Sequence, residues 1–205
     1  MSEPPTAQAT ERTRQKAARR RQLLAAAARL FAERGFHAVS IEELGAAVGV
    51  SGPAVYRHFA GKESILGDLL VGVSRRLLDG GVAMAAGAST PQEALTALIA
   101  FHLDFALHDS DLIRVQDRDF ANLPASEARA VRRLQRAYVE IWVDVLLQLD
   151  PSCAAVVART KAHATFGLLN STPHSAASRD GEITRSVLEA MAMAALRAQP
   201  MGAHG

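Results

Sequence analysis

Ser40-Ile-Glu-Glu-Leu-Gly-Ala-Ala-Val-Gly-Val-Ser-Gly-Pro-Ala-Val-Tyr-Arg-His-Phe59 is the stretch that decides how this chain folds. Ser40 and Glu43 have the spacing of a capping box, in which each side chain satisfies the other's backbone donor. Ile41, Leu44 and Val48 recur on one helical face, and Gly49 supplies the stop. Ser51 is an N-cap candidate only two residues later, and Pro53 falls in a first helical turn, where its missing N–H costs nothing. At helical pitch Val55 and Phe59 point the same way and Arg57 points opposite, with Pro53 and Ala54 on the outer half and Tyr56 and His58 at the borders. A helix this short cannot stand alone. It needs Val55 and Phe59 buried, and its polar outer face is then presented to something.

Upstream, Leu23, Ala27, Leu30 and Phe31 recur at three- and four-residue steps, giving a first helix that ends at Arg34 and is stopped by Gly35. A longer helix, then two short ones joined by a tight glycine-containing turn, is a helix-turn-helix. Before it lie Arg12, Arg14, Lys16, Arg19, Arg20 and Arg21: either a solvated helix start or an arm that touches phosphates or a minor groove. Residues 1–62 carry 10 Lys/Arg against 5 Asp/Glu, and residues 63–205 carry 13 against 16. The basic end is where a polyanion would bind.

Downstream the apolar period stays helical. Ile65, Leu66, Leu69, Leu70, Val73 and Leu77 give a helix from about Lys62 that fades at Asp79-Gly-Gly81, with residues 82–90 read as small and flexible. Helices are expected from Pro91, over Leu112–Phe120, over Ser126–Leu149, over 152–170 and over Ile183–Ala198, with a Ser- and Pro-rich loop at 170–181. No strand and no internal repeat is legible. The expected fold is all-α: an N-terminal three-helix helix-turn-helix domain plus a C-terminal helical domain. The expected boundaries are 1–18 for a disordered basic arm, 19–64 for the helix-turn-helix and 65–205 for the rest.

One cysteine, Cys153, allows no internal disulfide and fits a reducing cytoplasm. No apolar run reaches membrane-spanning length, and no secretory h-region precedes the first helix. There is no Gly-rich phosphate loop, no H-E-x-x-H and no G-x-S-x-G, and His102, His163 and Cys153 lack metal spacing. Neither enzyme, metal nor cofactor is therefore expected.

A recognition helix reaches base edges with its N-terminal residues while donors beside it grip phosphates. Small Gly52 and Ala54 would bring the backbone near the groove, Pro53 and Ala54 could meet a thymine methyl, and Arg57 could donate to guanine or phosphate. With Ala47-Val-Gly-Val-Ser51, Pro53-Ala54, Val55-Tyr56, His58-Phe59, Lys62-Glu63 and Ile65-Leu66, residues 20–68 resemble a TetR-family transcriptional regulator. The resemblance implies phosphate contacts from Ser40 and Tyr56. It implies that Ser51, Pro53, Ala54 and Arg57 lie in or beside the major groove, and that His58 and Lys62 grip the backbone. Gly52 departs from relatives that carry a polar or basic residue there, which moves base readout towards Arg57.

The resemblance further implies nine or ten helices, a homodimer on a palindromic double-stranded operator, and a small-molecule effector in the C-terminal domain. The Ala-rich helix near 153–167 and the last helix, apolar nearly all round, suit a two-fold interface. Polar or aromatic residues that interrupt the apolar pattern are the candidate effector contacts: His102, Phe105, Arg118, Phe120, Tyr138, Trp142, His163, Phe166 and Asn170. The segments at 101–124 and 166–175 resemble members that sense acyl-CoA or other lipid-derived ligands. The competing readings are an architectural DNA protein without an effector and a small helical enzyme.

Overall fold

The computed structural model describes residues 7–171 and 181–199. Among them are nine α-helices, one 3₁₀ turn and no strand. They are α1 (Ala7–Arg34), α2 (Ile41–Ala46), α3 (Gly52–Val55), α4 (Lys62–Gly87), α5 (Pro91–His108), α6 (Ser110–Asp119), the 3₁₀ turn Phe120–Asn122, α7 (Ala125–Leu149), α8 (Ala155–Leu169) and α9 (Gly181–Arg197).

The helices form two compact units. Of the described residues, the first comprises 7–70 with 114–128, and the second 71–113 with 129–171 and 181–199. In the first, Leu23, Ala27 and Phe31 of α1 are completely buried, with Leu44, Val55, Ile65 and Leu66. In the second, α5 contributes Leu95, Leu98 and Leu103, α7 Tyr138, Trp142 and Leu146, α8 Ala158, Ala162 and Leu169, and α9 Ala192 and Leu196 to one core.

Three features differ from the sequence reading. Residues 7–18, expected as part of a disordered arm, form the first turns of α1. Good helix formers and the Gln15–Glu11 hydrogen bond of 3.1 Å, one turn apart, account for this. Residues 114–128, assigned by sequence to the C-terminal domain, belong to the first unit. There the Arg118 guanidinium donates to the Phe31 and Ala32 carbonyls and pairs with buried Asp119, which closes the end of α1 beside Gly35 (φ +90°). The greater part of the expected loop at 170–181 lies outside the described residues.

The third difference is α4, which does not stop at Asp79-Gly80-Gly81 but continues to Gly87. The glycines answer to packing. A Cβ on Gly80 would lie 2.1 Å from the Phe101 ring, and one on Gly81 would lie 2.5 Å from Tyr138 Cε2. Both rings occupy the space a side chain would take, so the helix tolerates two poor helix formers in exchange for close approach. Gly72, on the same helix, has nothing within 4 Å of its added Cβ.

Opposite stability changes are therefore expected in one helix. Gly72→Ala should stabilise by about 0.5–1 kcal/mol through helix propensity. Gly81→Ala should destabilise by about 1–3 kcal/mol, because Tyr138 is buried and cannot retreat freely. Urea unfolding of both variants checks the pair; equal signs would contradict it.

Candidate nucleic-acid interface and effector core

The helix-turn-helix is tied by short local contacts. The Ser40 hydroxyl accepts from the Glu43 N–H at 3.2 Å, and Glu43 Oε2 accepts from the Ser40 N–H at 2.8 Å. Arg34 donates to the other carboxylate oxygen at 2.7 Å. The Ser40 backbone N–H first, then Arg34 and the Ser40 hydroxyl, hold the Glu43 carboxyl at about 2. Gly49 takes φ +71°, and a Cβ on Gly45 would lie 2.7 Å from the Val50 carbonyl oxygen. The turn between α2 and α3 thus needs glycine twice, once for conformation and once for space.

Only Gly52–Val55 is α-helical in α3, and the chain continues as turn through His58. Val55 and Phe59 are buried as the period predicts, while Tyr56 is 57% exposed and Ser51, Pro53 and Arg57 are exposed. Ala54 and His58 are half-buried. Ser51 has N-cap backbone geometry but makes no side-chain cap bond.

Two expected DNA residues are engaged internally. Gly52 is buried, with space for a Cβ limited by Glu42 Oε1 at 3.2 Å, so its smallness serves α2–α3 packing rather than groove approach. The Lys62 ammonium donates to the Val39 carbonyl at 3.0 Å and sits 4.5 Å over the Phe36 ring, so it fastens the start of α4 to the α1–α2 loop.

The basic stretch divides likewise. Arg19 donates to the Val48 carbonyl at 2.8 Å, and Arg20 pairs with Asp68 and lies 4.9 Å over Phe59, so both help seat the turn and α3. Arg12, Gln15, Lys16, Arg19 and Gln22 of α1 share with Arg57 and His58 an open cleft of about 670 Å³. Burial first, then the charges of Lys16, Arg19, Arg20 and Arg57, push the His58 imidazole below its usual range. A concentration of cations that depresses a histidine is a field suited to phosphate oxygens.

In the second unit His102 is the hub of an aromatic cluster. Its ring stacks at 5.8 Å on Tyr138 and 4.9 Å on Phe166, and meets Phe105 and Trp142 edge-on at 5.8 and 6.1 Å. His102 Nε2 lies 3.1 Å from Asn170 Oδ1, and Nδ1 lies 3.2 Å from the Tyr138 hydroxyl. Burial lowers the imidazole to about 4, against the Asn170 hydrogen bond. The neutral ring therefore donates through Nε2 to Asn170 and accepts from Tyr138 through Nδ1. Burial raises the Tyr138 phenol, which keeps it a donor.

Six of the nine expected effector residues thus converge: His102, Phe105, Tyr138, Trp142, Phe166 and Asn170. Three do not. Arg118 and Phe120 belong to the first unit, where Arg118 caps α1. His163 is exposed on α8, its ring 6.5 Å from Phe166. Thr165, which the sequence reading passed over, is completely buried. Its spacing from Ala158, Ala162 and Leu169 marks it as core-facing, a signal hidden by the alanines around it. Among the described residues no cluster of His, Cys, Asp and Glu could hold a metal ion.

Residues 23–69 match the family described as bacterial regulatory proteins, tetR family, and residues 88–174 match the tetracyclin repressor-like C-terminal domain. The chain belongs to the tetR family of bacterial regulatory proteins. It is 34% identical over 116 residues to the HTH-type transcriptional activator FasR of Mycolicibacterium smegmatis, a match covering 54% of this chain and 51% of that one. It is 28% identical over 132 residues to the HTH-type transcriptional repressor KstR2 of Rhodococcus jostii, covering 64% and 65%. The chain thus spans about half to two-thirds of the length of these relatives. A TetR-family transcriptional regulator of Bordetella parapertussis has the same fold, with a TM-score of 0.78 at 25% identity over 87% of this chain and 93% of its own. The match over residues 23–69 falls in the first unit, whose cleft and outer α3 face are the candidate interface.

Two outcomes follow from this geometry. Arg57 shares its cleft with the α1 cations, so Arg57→Ala should weaken DNA binding on all sequences alike and reduce the slope of log K against log salt by about 1. Loss confined to one base step would instead make it a base reader. The depressed His102 value means that the unfolded chain binds this proton first as pH falls. Its contribution to stability is complete above pH 6.5 and lost as pH falls through about 4. Between pH 7.5 and 4.5 the wild type should lose about 2 kcal/mol more than His102→Gln. Matching pH profiles would refute the neutral buried imidazole.

Proposed function

We propose that this chain is a ligand-responsive DNA-binding regulator, a repressor released from a palindromic operator by a small molecule. The observation that carries the reading is the cleft shared by Arg12, Lys16 and Arg19 of α1 with Arg57 and His58 beside α3, in a helix-turn-helix of the tetR family. Tyr56, Arg57, Pro53, Ala54 and Ser51 form the outer surface, with Tyr56 and the cleft cations on phosphates and the start of α3 at base edges. Ser40 stands exposed at the α2 N-terminus, and a phosphate meeting its hydroxyl would displace the Glu43 carboxylate bonded there at 2.9 Å. His102, Phe105, Tyr138, Trp142, Phe166 and Asn170 form the effector core, and an acyl-CoA or other lipid-derived effector suits its apolar walls.

A homodimer is part of the proposal. The faces of α8 and α9 turned to solvent are apolar: Val156, Ile183, Val187 and Met191 are 68, 63, 49 and 48% exposed. Exposed Ala164, Gly167, Ala190 and Ala194 lie on the same faces and allow close approach of a second copy. Among the described residues no helix is long and apolar enough to cross a membrane. Cytoplasmic residence is proposed with the DNA-binding role.

Selection from a random duplex pool should enrich an inverted repeat whose half-sites are centred about 34–36 Å apart or a multiple of it. Ile183→Arg with Met191→Arg should yield a folded monomer by sedimentation and weaken operator binding at least about tenfold. Single-copy binding of full affinity, or selection of no repeat, would overturn the dimeric regulator. Transcription from a promoter carrying the selected repeat should rise when the chain is removed; a fall would make it an activator.

A further inference from the structure

Two polar groups in the core of the second unit are left over by their surroundings. Trp142 is completely buried, and its indole N–H makes no well-formed hydrogen bond: it reaches only loosely towards the Tyr138 hydroxyl, one turn away, where it opposes the phenol's upward shift. Thr165 is also completely buried, and its hydroxyl has no partner. A helical threonine in an apolar setting usually bonds back to the carbonyl four residues earlier, as Thr160 does to Val156 at 2.8 Å. Thr165 does not. Buried polar groups without partners are rare in folded proteins, and each calls for a reason.

Both belong to one neighbourhood. Ala162 and Leu169, which flank Thr165 on its face of α8, share a core cluster with Trp142. Phe166, the next residue after Thr165, has its ring 5.0 Å from that of Trp142. The other polar groups there are uncharged: the His102 imidazole, the Tyr138 phenol and the Asn170 amide. Among the described residues of this unit no Lys, Arg, Asp or Glu is buried. A carboxylate entering such a core would lose its hydration and meet no cation. A carbonyl oxygen loses far less and needs only a donor.

We infer that this core takes an uncharged carbonyl compound with an apolar body, a ketone, ester or thioester, whose oxygen accepts from the Trp142 indole and the Thr165 hydroxyl. The inference rests on the effector-sensing role proposed above and narrows it. An acylated effector would be recognised at its thioester carbonyl, not at an ionised head, and a free fatty acid would be refused. The rings of His102, Tyr138 and Phe166 stack on one another, 14–28° from parallel, and make the core around the two donors apolar.

The test uses the full chain with three probes of equal chain length: methyl nonyl ketone, undecane and undecanoate at pH 7.5. Trp142 is the sole tryptophan, so its emission reports binding at this place, and the unfolding temperature gives a second readout. The ketone should bind at least about tenfold tighter than either competitor and shift the Trp142 emission. Thr165→Val keeps the shape and removes the orphan hydroxyl, so the free protein should be no less stable while ketone affinity falls about fivefold or more. Trp142→Phe, followed by thermal shift, should lose ketone preference over undecane, with Thr165→Val as the variant that stands if Trp142→Phe does not fold. Undecanoate binding as tightly as the ketone overturns the inference and leaves an effector core in place. So does ketone affinity unchanged in Thr165→Val, or binding of none of the three. Failure of the sensing role itself shows separately, as operator affinity unmoved by any compound that raises the unfolding temperature.

Discussion

A helix of four residues has no stability of its own, and α3 exists only because its inner side is held from several directions. Val55 and Phe59 are buried, Arg20 covers Phe59 while pairing with Asp68, and Arg19 reaches the carbonyl of Val48 in the preceding turn. Gly45 and Gly49 let that turn close, and Lys62 fastens the next helix to the α1–α2 loop. Of these residues only Arg19 also lines the cleft that Arg57 shares with α1. The outer surface proposed to meet DNA is thereby held in one geometry by the packing beneath it.

The same constraint explains which parts were legible in the sequence. Capping box, glycine stops, Pro53 and the Val55–Phe59 spacing are local rules that agree with one another, and the observed α2–turn–α3 follows them. Gly80 and Gly81 are local rules that mislead. They read as a helix end because their reason is the approach of Phe101 and Tyr138 from other helices. Charged residues misled in another way. Sequence gives a cation's presence and not its partner: Lys62, expected to grip the DNA backbone, and Arg118, expected at the effector, both donate to backbone carbonyls inside the first unit. Gly52 is expected to bring the backbone near the groove, and the side chain of Glu42 packs against it.

In the second unit the aromatic interruptions of the apolar pattern mark residues that meet in one core, where a buried His or Tyr brings its polar atom to a partner. His102, Tyr138 and Asn170 find one another. His163, identical in chemistry to His102, stands on the outer face of α8, and only the register of that helix separates them. Thr165 shows the converse: a small residue in an alanine-rich helix attracts no notice in sequence, yet it lies at the centre of the core's unsatisfied chemistry. The core of the second unit is uncharged and holds two buried donors without well-formed bonds, and the first unit gathers Arg12, Lys16, Arg19 and Arg57 on one cleft.

The central claim is that two copies of this helix-turn-helix read DNA together through α3 and the α1 cations. Hydroxyl-radical footprinting of the full chain on its selected duplex tests that claim most directly. Two protected windows on one face of the duplex are predicted, about one helical turn or a multiple apart and related by the dyad of the repeat. A single window, or protection spread evenly along the duplex, would contradict it.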